Sequence, residues 1–393
     1  MERHKYLIVG GGMTADSAVR GIRELDTSGS IGVIGSETVG PYDRPPLSKA
    51  LWKGKSLNSI WRNTSEVAGV KLHLGITANR IDVTGHQVVD ETGNEYSFDK
   101  LLLATGGTPR HLRFGEGSII YYRTFDDYER LRALTDKLNR FAVIGAGFIG
   151  SEIAAALCMN GKQVTMVFPE NGIGVLAYPA DLSRAVTQLY QEKGVEVLTG
   201  VSVEGLQSAD GATSLLLSGH RRILADTVIA GIGIIPNIDL AREANLEVSD
   251  GIVVNELLQT TAPNIYAAGD VARFFNPALN QRIRVEHEDN ANTMGRVAGR
   301  NMAGAGERYT HLPSFYSDLF DIGYEAVGEL DPRLETACKW KEPYREGIVY
   351  YLRAGKVRGV LLWNVWEKVG MARALISGSR TFTSDELESA IPI

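Results

Sequence analysis

Gly10-Gly11-Gly12-Met13-Thr14-Ala15 follows directly on the apolar run Tyr6-Leu7-Ile8-Val9 near the start of this chain. The pattern Gly-x-Gly-x-x-Ala lets a strand turn tightly into a helix and lets the backbone approach a phosphate closely. Apolar residues at helical spacing predict a helix over residues 14–25, and a second buried strand follows at residues 31–34. This strand–turn–helix–strand context is what makes the glycine pattern credible as a dinucleotide site.

The same unit recurs at Gly145-x-Gly147-x-x-Gly150. A strand at residues 141–144 leads into this turn, a helix is predicted over residues 151–159, and a returning strand over residues 164–168. Glu37 and Glu170 follow the second strand of their units, where a carboxylate can bond a ribose hydroxyl. Either unit alone could be an ordinary strand–helix crossover. Two in one chain indicate two nucleotides, the arrangement needed to pass a hydride between a nicotinamide and a flavin.

Two further apolar strands end in polar, glycine-rich segments. Residues 101–104 run into Thr105-Gly106-Gly107, and residues 264–268 run into Gly269-Asp270. Because parallel sheets bind ligands at the carboxyl ends of their strands, both exits are candidate sites. Asp270 could otherwise be held by a turn amide. Residues 227–235 are predicted as one more buried strand.

The pattern changes after about residue 310. Apolar runs at residues 348–353 and 357–363 flank Ala354-Gly355-Lys356, which predicts a hairpin. A helix is predicted over residues 369–376, and the stretch from Ser377 as a loosely held tail. The chain is therefore predicted to be α/β, with two Rossmann-like dinucleotide-binding domains and a C-terminal α+β domain.

Composition excludes several classes of function. With 393 residues, 44% of them hydrophobic, the chain can form two to three packed domains. A net charge of −6 argues against nucleic-acid binding. Cys158 and Cys338 form no C-x-x-C pair, so a redox dithiol is not expected. No apolar run reaches the ~18 residues of a membrane span, and the first strand begins almost at Met1, so we expect a cytoplasmic protein. We predict no metal site.

The chain resembles the FAD-dependent pyridine nucleotide-disulfide oxidoreductase family, in the branch of apoptosis-inducing factor and the oxygenase-type ferredoxin reductases. The likeness covers nearly the whole chain, and its most specific stretch is Pro41-Tyr-Asp-Arg-Pro-Pro-Leu-Ser-Lys49. Further matches are Gly150-Ser-Glu152, Ile235-Pro-Asn237, Ala267-Ala-Gly-Asp270, Val285-Glu-His-Glu-Asp289 and Tyr316-Ser-Asp-Leu319. The chain departs from the ferredoxin reductases at His287, where they usually have a Trp.

The resemblance implies three domains. An FAD-binding domain would comprise residues 1–117 and 246–309, and an NAD-binding domain residues 118–245. The C-terminal α+β domain, residues 310–393, would cover the flavin and could form a homodimer interface.

The resemblance also implies roles for single residues. Lys49 would pair with Glu152 beside flavin N5 and stabilise the negative charge that develops as hydride arrives; two unrelated surface charges are the alternative. Phe148 would shield the flavin, although the residue pattern alone favours a core residue at a helix start. The catalytic set is Lys49, Glu152, Phe148 and His287. The FAD side comprises Gly10, Gly12, Ala15, Glu37, Arg44, Lys49, Ala104, Thr105, Gly106, Asp270, Glu286, His287 and Tyr316. The NAD side comprises Gly145, Gly147, Phe148, Gly150, Glu152, Glu170 and Gly233.

These features predict an FAD-dependent NADH oxidoreductase. Hydride would pass from NADH to the flavin, and electrons then to a ferredoxin or rubredoxin, a quinone or oxygen. Glu170, with no Arg near it before Arg184, favours NADH over NADPH. The alternative is an NADH-responsive redox sensor, in which a slow reduced-flavin–NAD charge-transfer complex controls dimerisation or partner binding.

Overall fold

The computed structural model describes residues 1–209, 212–378 and 380–393. The chain divides into two compact units. Unit 1 comprises Met1–Arg44, Leu57–Thr108 and Ile235–Ser314, and unit 2 comprises Pro45–Ser56, Pro109–Ile234 and Phe315–Ile393. No helix in the described ranges is long and apolar enough to cross a membrane. The boundaries of the three predicted domains stay predictions.

The elements are numbered in chain order over the described residues. The helices α1 to α8 are Met13–Arg23, Phe125–Thr135, Phe148–Met159, Ala180–Glu192, Asp239–Glu243, Glu288–Met302, Val369–Ser377 and Ser384–Glu388. The strands β1 to β13 are Glu2–Val9, Ile31–Gly35, Val70–Leu74, Ala78–Asp82, Gln87–Asp90, Glu95–Leu103, Gly107–Pro109, Ile119–Tyr121, Arg140–Ile144, Gln163–Val167, Glu196–Leu198, Val203–Ala209 and Ala212–Leu217. The strands β14 to β25 are Arg221–Ala225, Thr227–Ala230, Ile234–Pro236, Ile252–Val253, Ile265–Ala267, Ala272–Asn276, Gln281–Ile283, Ser314–Leu319, Ile322–Gly328, Glu335–Glu342, Glu346–Arg353 and Lys356–Trp363.

Unit 1 is built on a sheet of order β3-β2-β1-β6-β5-β4, with β18 paired to β6. Strands β3, β2, β1, β6 and β18 are parallel, so their carboxyl ends meet at one edge. Helices α1 and α6 pack closely because glycines face the partner backbone. A Cβ at Gly21 would lie 2.2 Å from the Arg296 carbonyl oxygen, and one at Gly299 would lie 2.1 Å from that of Ala18.

Unit 2 contains a parallel sheet of order β11-β10-β9-β15-β8. It also contains an antiparallel sheet, β12-β13-β14, and a five-stranded sheet of order β21-β22-β25-β24-β23. In the five-stranded sheet, β24 and β25 form the predicted hairpin, and α7 follows it. The predicted α/β class with an α+β C-terminal part is confirmed.

Three local predictions were wrong. Helix α3 begins at Phe148 rather than Ser151, because Gly147 is already its N-cap. Residues 227–235 form two strands, β15 and β16, because Gly233 takes a left-handed φ of 91° between them. The tail from Ser377 is not loose throughout, since α8 has a capping box. Leu387 and Ile391 are fully buried.

Candidate functional site

The first glycine turn joins β1 to α1 within unit 1. Gly10 has a φ of 124°, and a Cβ there would lie 2.0 Å from the Ala104 carbonyl oxygen, so only glycine fits. Gly12 is the N-cap of α1 with no side-chain cap, and a Cβ on it would meet no heavy atom within 4 Å. The turn therefore presents uncapped amides to open space, which suits a pyrophosphate. Ala15 is fully buried behind it.

Glu37 lies just beyond the end of β2 and is held by two side chains. The Tyr42 hydroxyl donates to Glu37 Oε2 at 2.7 Å, and Arg44 Nη2 donates to Glu37 Oε1 at 2.8 Å. The Arg44 guanidinium also lies 5.2 Å from the centroid of the Tyr42 ring. The carboxylate is about a quarter exposed. It is thus fixed in direction while still accessible to a ribose hydroxyl.

Thr105 and Asp270 follow neighbouring strands at the same sheet edge as the glycine turn. Strand β18 pairs with β6, so Ala267 lies opposite Leu103. Gly269 has a φ of 79°, and a Cβ there would lie 2.3 Å from Thr14 Oγ1, which places Asp270 beside the first turn of α1. Asn237, whose amide donates to the Thr105 carbonyl at 2.9 Å, fixes the Thr105-Gly106 exit.

Glu286 and His287 precede helix α6. The Arg284 guanidinium donates to Glu286 Oε1 at 2.6 Å and to the Asp270 carbonyl at 3.0 Å, which links this segment to the Asp270 turn. His287 is the N-cap of α6, and its carbonyl accepts from the Ala291 amide at 2.9 Å. Glu286 is therefore bonded to Arg284, which also bonds the Asp270 turn. His287, the next residue, is the N-cap of α6.

The second glycine turn joins β9 to α3 within unit 2. Gly145 has a φ of 103°, and a Cβ there would lie 2.5 Å from the Gly231 carbonyl oxygen. Gly147 is the N-cap of α3 with no side-chain cap, and a Cβ on it would meet nothing within 4 Å. A Cβ on Gly150 would lie 2.2 Å from the Gly145 carbonyl oxygen. This turn also presents uncapped amides to open space.

Glu170 follows β10 in unit 2, as the fingerprint predicts. Its main-chain carbonyl accepts from the Gly200 amide at 2.9 Å. Over the described residues, its half-buried carboxylate receives no hydrogen bond and forms no ion pair. Gly233 is exposed, and its carbonyl accepts from the Arg110 amide at 2.9 Å. The Glu170 carboxylate is therefore available to a ligand.

Lys49 and Glu152 form a buried ion pair within unit 2. Lys49 Nζ lies 2.8 Å from Glu152 Oε2, and the two side chains are 9% and 2% exposed. The Ser48 hydroxyl donates to the same oxygen at 2.5 Å, and the Ser317 hydroxyl donates to Glu152 Oε1 at 2.6 Å. The Lys49 ammonium also lies 5.2 Å from the centroid of the Tyr316 ring. The pair is therefore real, not two unrelated surface charges.

Phe148 is the first residue of α3 but not a core residue. The residue is 38% exposed, and its ring meets Phe315 edge-on with centroids 5.2 Å apart. Phe148 therefore starts the helix, as the residue pattern favours, but its ring is not buried, so the prediction of a core residue is wrong.

The sequence did not predict the hydroxyl groups that bond the Glu37 and Glu152 carboxylates. Ser48, Ser317 and Tyr42 lie inside the motifs that carry the family resemblance, and serine or tyrosine hydroxyls are too common for a pattern to single them out. Asn237 was missed in the same way. The available signal was that two of these serines are next to a predicted site residue: Ser48 precedes Lys49, and Ser317 follows Tyr316.

The two turns fit dinucleotides. Each combines a left-handed glycine at a strand end, an uncapped helix N-terminus facing open space and an acidic residue after the next strand. The residues present therefore match both FAD and NAD(H). Cys158 lies in α3 and Cys338 in β23, both are free thiols, and burial raises the pKa of each.

Comparisons with known proteins agree with this geometry. The family model for pyridine nucleotide-disulphide oxidoreductases matches residues 4–295, and the model for the C-terminal part of the mitochondrion-associated apoptosis-inducing factor matches residues 298–342 and 337–378. The chain is 34% identical to apoptosis-inducing factor 1 of Dictyostelium discoideum, over 100% of this chain and 82% of that protein. It is 33% identical to putidaredoxin reductase of Pseudomonas putida, over 90% and 87%.

A longer relative and a solved structure extend the comparison. The chain spans 64% of a putative apoptosis-inducing factor 1 from Drosophila melanogaster, with 31% identity over 96% of this chain. A solved structure of a covalent putidaredoxin reductase–putidaredoxin complex superposes with a TM-score of 0.89 at 32% identity, covering 96% of this chain and 94% of that one. The chain therefore belongs to the pyridine nucleotide-disulphide oxidoreductase family and is an FAD-dependent NAD(P)H oxidoreductase.

Proposed function

We propose that unit 1 binds FAD, that unit 2 binds NADH, and that the chain delivers electrons to a small iron–sulfur protein of the ferredoxin type. The likeness to putidaredoxin reductase, and to the solved complex of that reductase with putidaredoxin, supports this acceptor. When bound, FAD supplies the conversion of a hydride into singly transferred electrons. The chain has no C-x-x-C pair that could act as an intermediate carrier.

The buried Lys49–Glu152 pair is the observation that carries this proposal. At 2.8 Å and an effective dielectric of 20, the attraction is about 6 kcal/mol before desolvation. Glu152 accepts three hydrogen bonds, from Ser48, Lys49 and Ser317, which hold the carboxylate in place so that it fixes the direction of the Lys49 ammonium. That ammonium has two further N–H groups, which are available to stabilise negative charge on a bound ligand.

Glu170 sets the choice between NADH and NADPH. A carboxylate without a partner can accept hydrogen bonds from a ribose 2′-hydroxyl. It repels a 2′-phosphate, which would bring negative charge next to it. We therefore propose NADH as the reductant.

Phe148 regulates access of the nicotinamide ring. Its partly exposed ring stands at the start of α3, next to the glycine turn that would bind the pyrophosphate. The ring is partly exposed where it meets Phe315 edge-on, so part of its surface is not packed against the protein and a change of rotamer is favoured. We propose that Phe148 covers the nicotinamide position until NADH displaces it.

Rapid mixing with NADH under anaerobic conditions tests the role of Lys49. The Lys49→Met variant should reduce bound FAD about 100-fold more slowly than the wild type, because one fixed positive donor is lost. Lys53→Met is the matched control, since Lys53 forms an ion pair with Asp318 at 3.4 Å that is far more exposed. FAD content and circular dichroism confirm that each variant is folded.

An unchanged rate of FAD reduction in Lys49→Met would refute the role of the pair. Ser317→Ala provides a milder test, because it keeps both charges and removes only one hydrogen bond. The acceptor is tested separately by adding a [2Fe–2S] ferredoxin, a quinone or oxygen to the NADH-reduced protein. Reoxidation that is fastest with a quinone or oxygen would overturn the proposed acceptor and leave the Lys49 role intact.

We also propose a cytoplasmic location and a homodimer formed through the C-terminal part of the chain. Cell fractionation and light scattering of the purified protein test these two points. The sensing alternative makes a different prediction, since it requires that NADH itself changes the molecular mass seen by light scattering.

A further inference from the structure

Glu2, His4 and His73 bring three metal-ligating atoms together in unit 1. Glu2 and His4 are two residues apart on β1, so their side chains leave the same face of the sheet. Strand β3 carries His73 and lies next but one to β1, across β2. The side chains of His4 and His73 are only 4% and 9% exposed, and that of Glu2 is 36% exposed.

The distances between the three atoms match one face of a tetrahedron. His4 Nε2 lies 3.1 Å from Glu2 Oε1 and 3.4 Å from His73 Nε2, and His73 Nε2 lies 3.6 Å from Glu2 Oε1. A tetrahedral zinc site with bonds of about 2.0–2.1 Å has edges of about 3.3–3.4 Å. The three ligand atoms therefore leave room for one ion and a fourth, open position.

The fold provides the space that this arrangement needs. Gly32 lies on β2, the strand between the two histidines, and a Cβ there would lie 2.6–2.8 Å from atoms of the His4 ring. The His73 ring packs edge-on against Tyr96, with centroids 4.8 Å apart. The two imidazoles are inclined at 74°, with centroids 5.5 Å apart. Packing on both sides thus directs the two Nε2 atoms towards each other.

A hydrogen-bond network is the competing explanation for the same contacts. Without an ion, one imidazole Nε2 would donate to the other at 3.4 Å. Lys71 Nζ lies 2.7 Å from Glu2 Oε2 and supplies that carboxylate with a cation. However, the Lys71 side chain is 60% exposed, and it uses the oxygen that faces away from the histidines. The positive charge of Lys71 therefore weakens metal binding, but its ammonium group does not occupy the position of the ion.

We propose that Glu2, His4 and His73 bind a Zn²⁺ ion that ties β1 to β3 across β2. The sequence predicts no metal site because no ligand-spacing motif joins residues 2, 4 and 73. Their side chains meet over Gly32 of β2, although the strand register places His73 opposite Ile34 and Ile34 opposite Val9 rather than His4. Histidine nitrogens and one carboxylate oxygen are a ligand set that Zn²⁺ prefers.

The test uses the untagged, FAD-loaded full chain, freed of metal by a chelator. Adding Zn²⁺ should give one bound ion per chain by elemental analysis and should raise Tm, and Co²⁺ should give the intense visible absorption of a four-coordinate site. Both signals should be lost in Glu2→Ala and His73→Gln and kept in His220→Asn, a control at an exposed histidine of unit 2. Lys71→Met should tighten binding about tenfold, because a competing positive charge is removed.

Substoichiometric zinc, or binding that Glu2→Ala and His73→Gln leave unchanged, would overturn the proposal. If His73→Gln loses FAD or secondary structure, Glu2→Ala decides alone, since Glu2 lies at the partly exposed start of β1. Unchanged binding in Lys71→Met would likewise contradict an ion coordinated by Glu2.

Discussion

The two nucleotide-binding turns share one backbone design but differ in how their acidic residues are held. In unit 1, Tyr42 and Arg44 fix both oxygens of Glu37 before any ligand arrives. In unit 2, the Glu170 carboxylate has no such partner among the described residues. Holding a group in position lowers the entropy lost on binding. The difference therefore suits a permanently bound nucleotide in unit 1 and an exchanging one in unit 2.

The third position of the fingerprint differs as well. Ala15 is fully buried with room for its Cβ, whereas a Cβ on Gly150 would lie 2.2 Å from the Gly145 carbonyl oxygen. Gly150 also packs against Gly231, whose own Cβ would lie 2.6 Å from the Gly150 amide nitrogen. In unit 2, the main chain at Gly145 and Gly231 lies too close to α3 for a side chain at position 150. In unit 1, α1 has room for the methyl group of Ala15.

Of the substitutions that test this comparison, Gly150→Ala should have the largest effect, on the free energy of unfolding. The added methyl group must displace main chain on two sides, which we expect to cost about 3 kcal/mol of unfolding free energy. Denaturant unfolding measures the loss. Gly147→Ala is the matched control, because a Cβ there meets nothing within 4 Å. It should keep stability and raise the KM for NADH. Equal stability of the two variants would contradict the close packing.

Glu170→Ala should reduce the preference for NADH over NADPH by about 10- to 100-fold, the worth of one hydrogen bond to a charged group. Steady-state kinetics with both reductants measure the ratio of kcat/KM. The control is Glu192→Ala, an exposed carboxylate on α4. A wild type that prefers NADPH would show that Glu170 does not select the nucleotide.

Tyr42→Phe should weaken FAD binding about fivefold, because Glu37 loses one hydrogen bond worth about 1 kcal/mol. Equilibrium dialysis of the reconstituted protein measures the change, and the KM for NADH should not move. Tyr96→Phe removes a comparable hydrogen bond, to Asp90, elsewhere in unit 1. If both variants lose FAD equally, the effect reflects stability rather than the position of Glu37.

Ala15→Gly should have the smallest effect. Restoring the glycine found at the matching position of unit 2 removes a buried methyl group and adds backbone entropy to a helix, at a cost of about 1 kcal/mol. We expect a lower Tm and an unchanged FAD content. A gain in FAD affinity would mean that Ala15 restricts the turn.

Much of this architecture could be predicted because repeated local patterns specify it. Both glycine turns, their acidic partners and the Lys49–Glu152 pairing follow from spacing and resemblance. The predicted start of α3 is wrong because the glycine pattern does not mark where the turn ends, and Gly147 already caps the helix. Helix α8 was missed despite a signal in the sequence, since Thr383 and Glu386 form a capping box.

Other features could not be predicted because strand register and loop paths decide them. Glu2 and His73 are neighbours only because β1 and β3 flank β2. Ser48 and Ser317 converge on Glu152 from distant parts of the chain. No local pattern distinguishes these residues from ordinary surface serines and histidines.

Because residues near position 393 are buried, removing them should affect how the protein folds. Strand β23 forms one border of the five-stranded sheet, and Lys339 of that strand donates to the Ile391 carbonyl at 3.3 Å. Leu387 and Ile391 have almost no exposed surface. A premature stop codon that removes these last residues would uncover a strand border with unpaired amides, which promotes aggregation. Truncated products should accordingly accumulate in inclusion bodies.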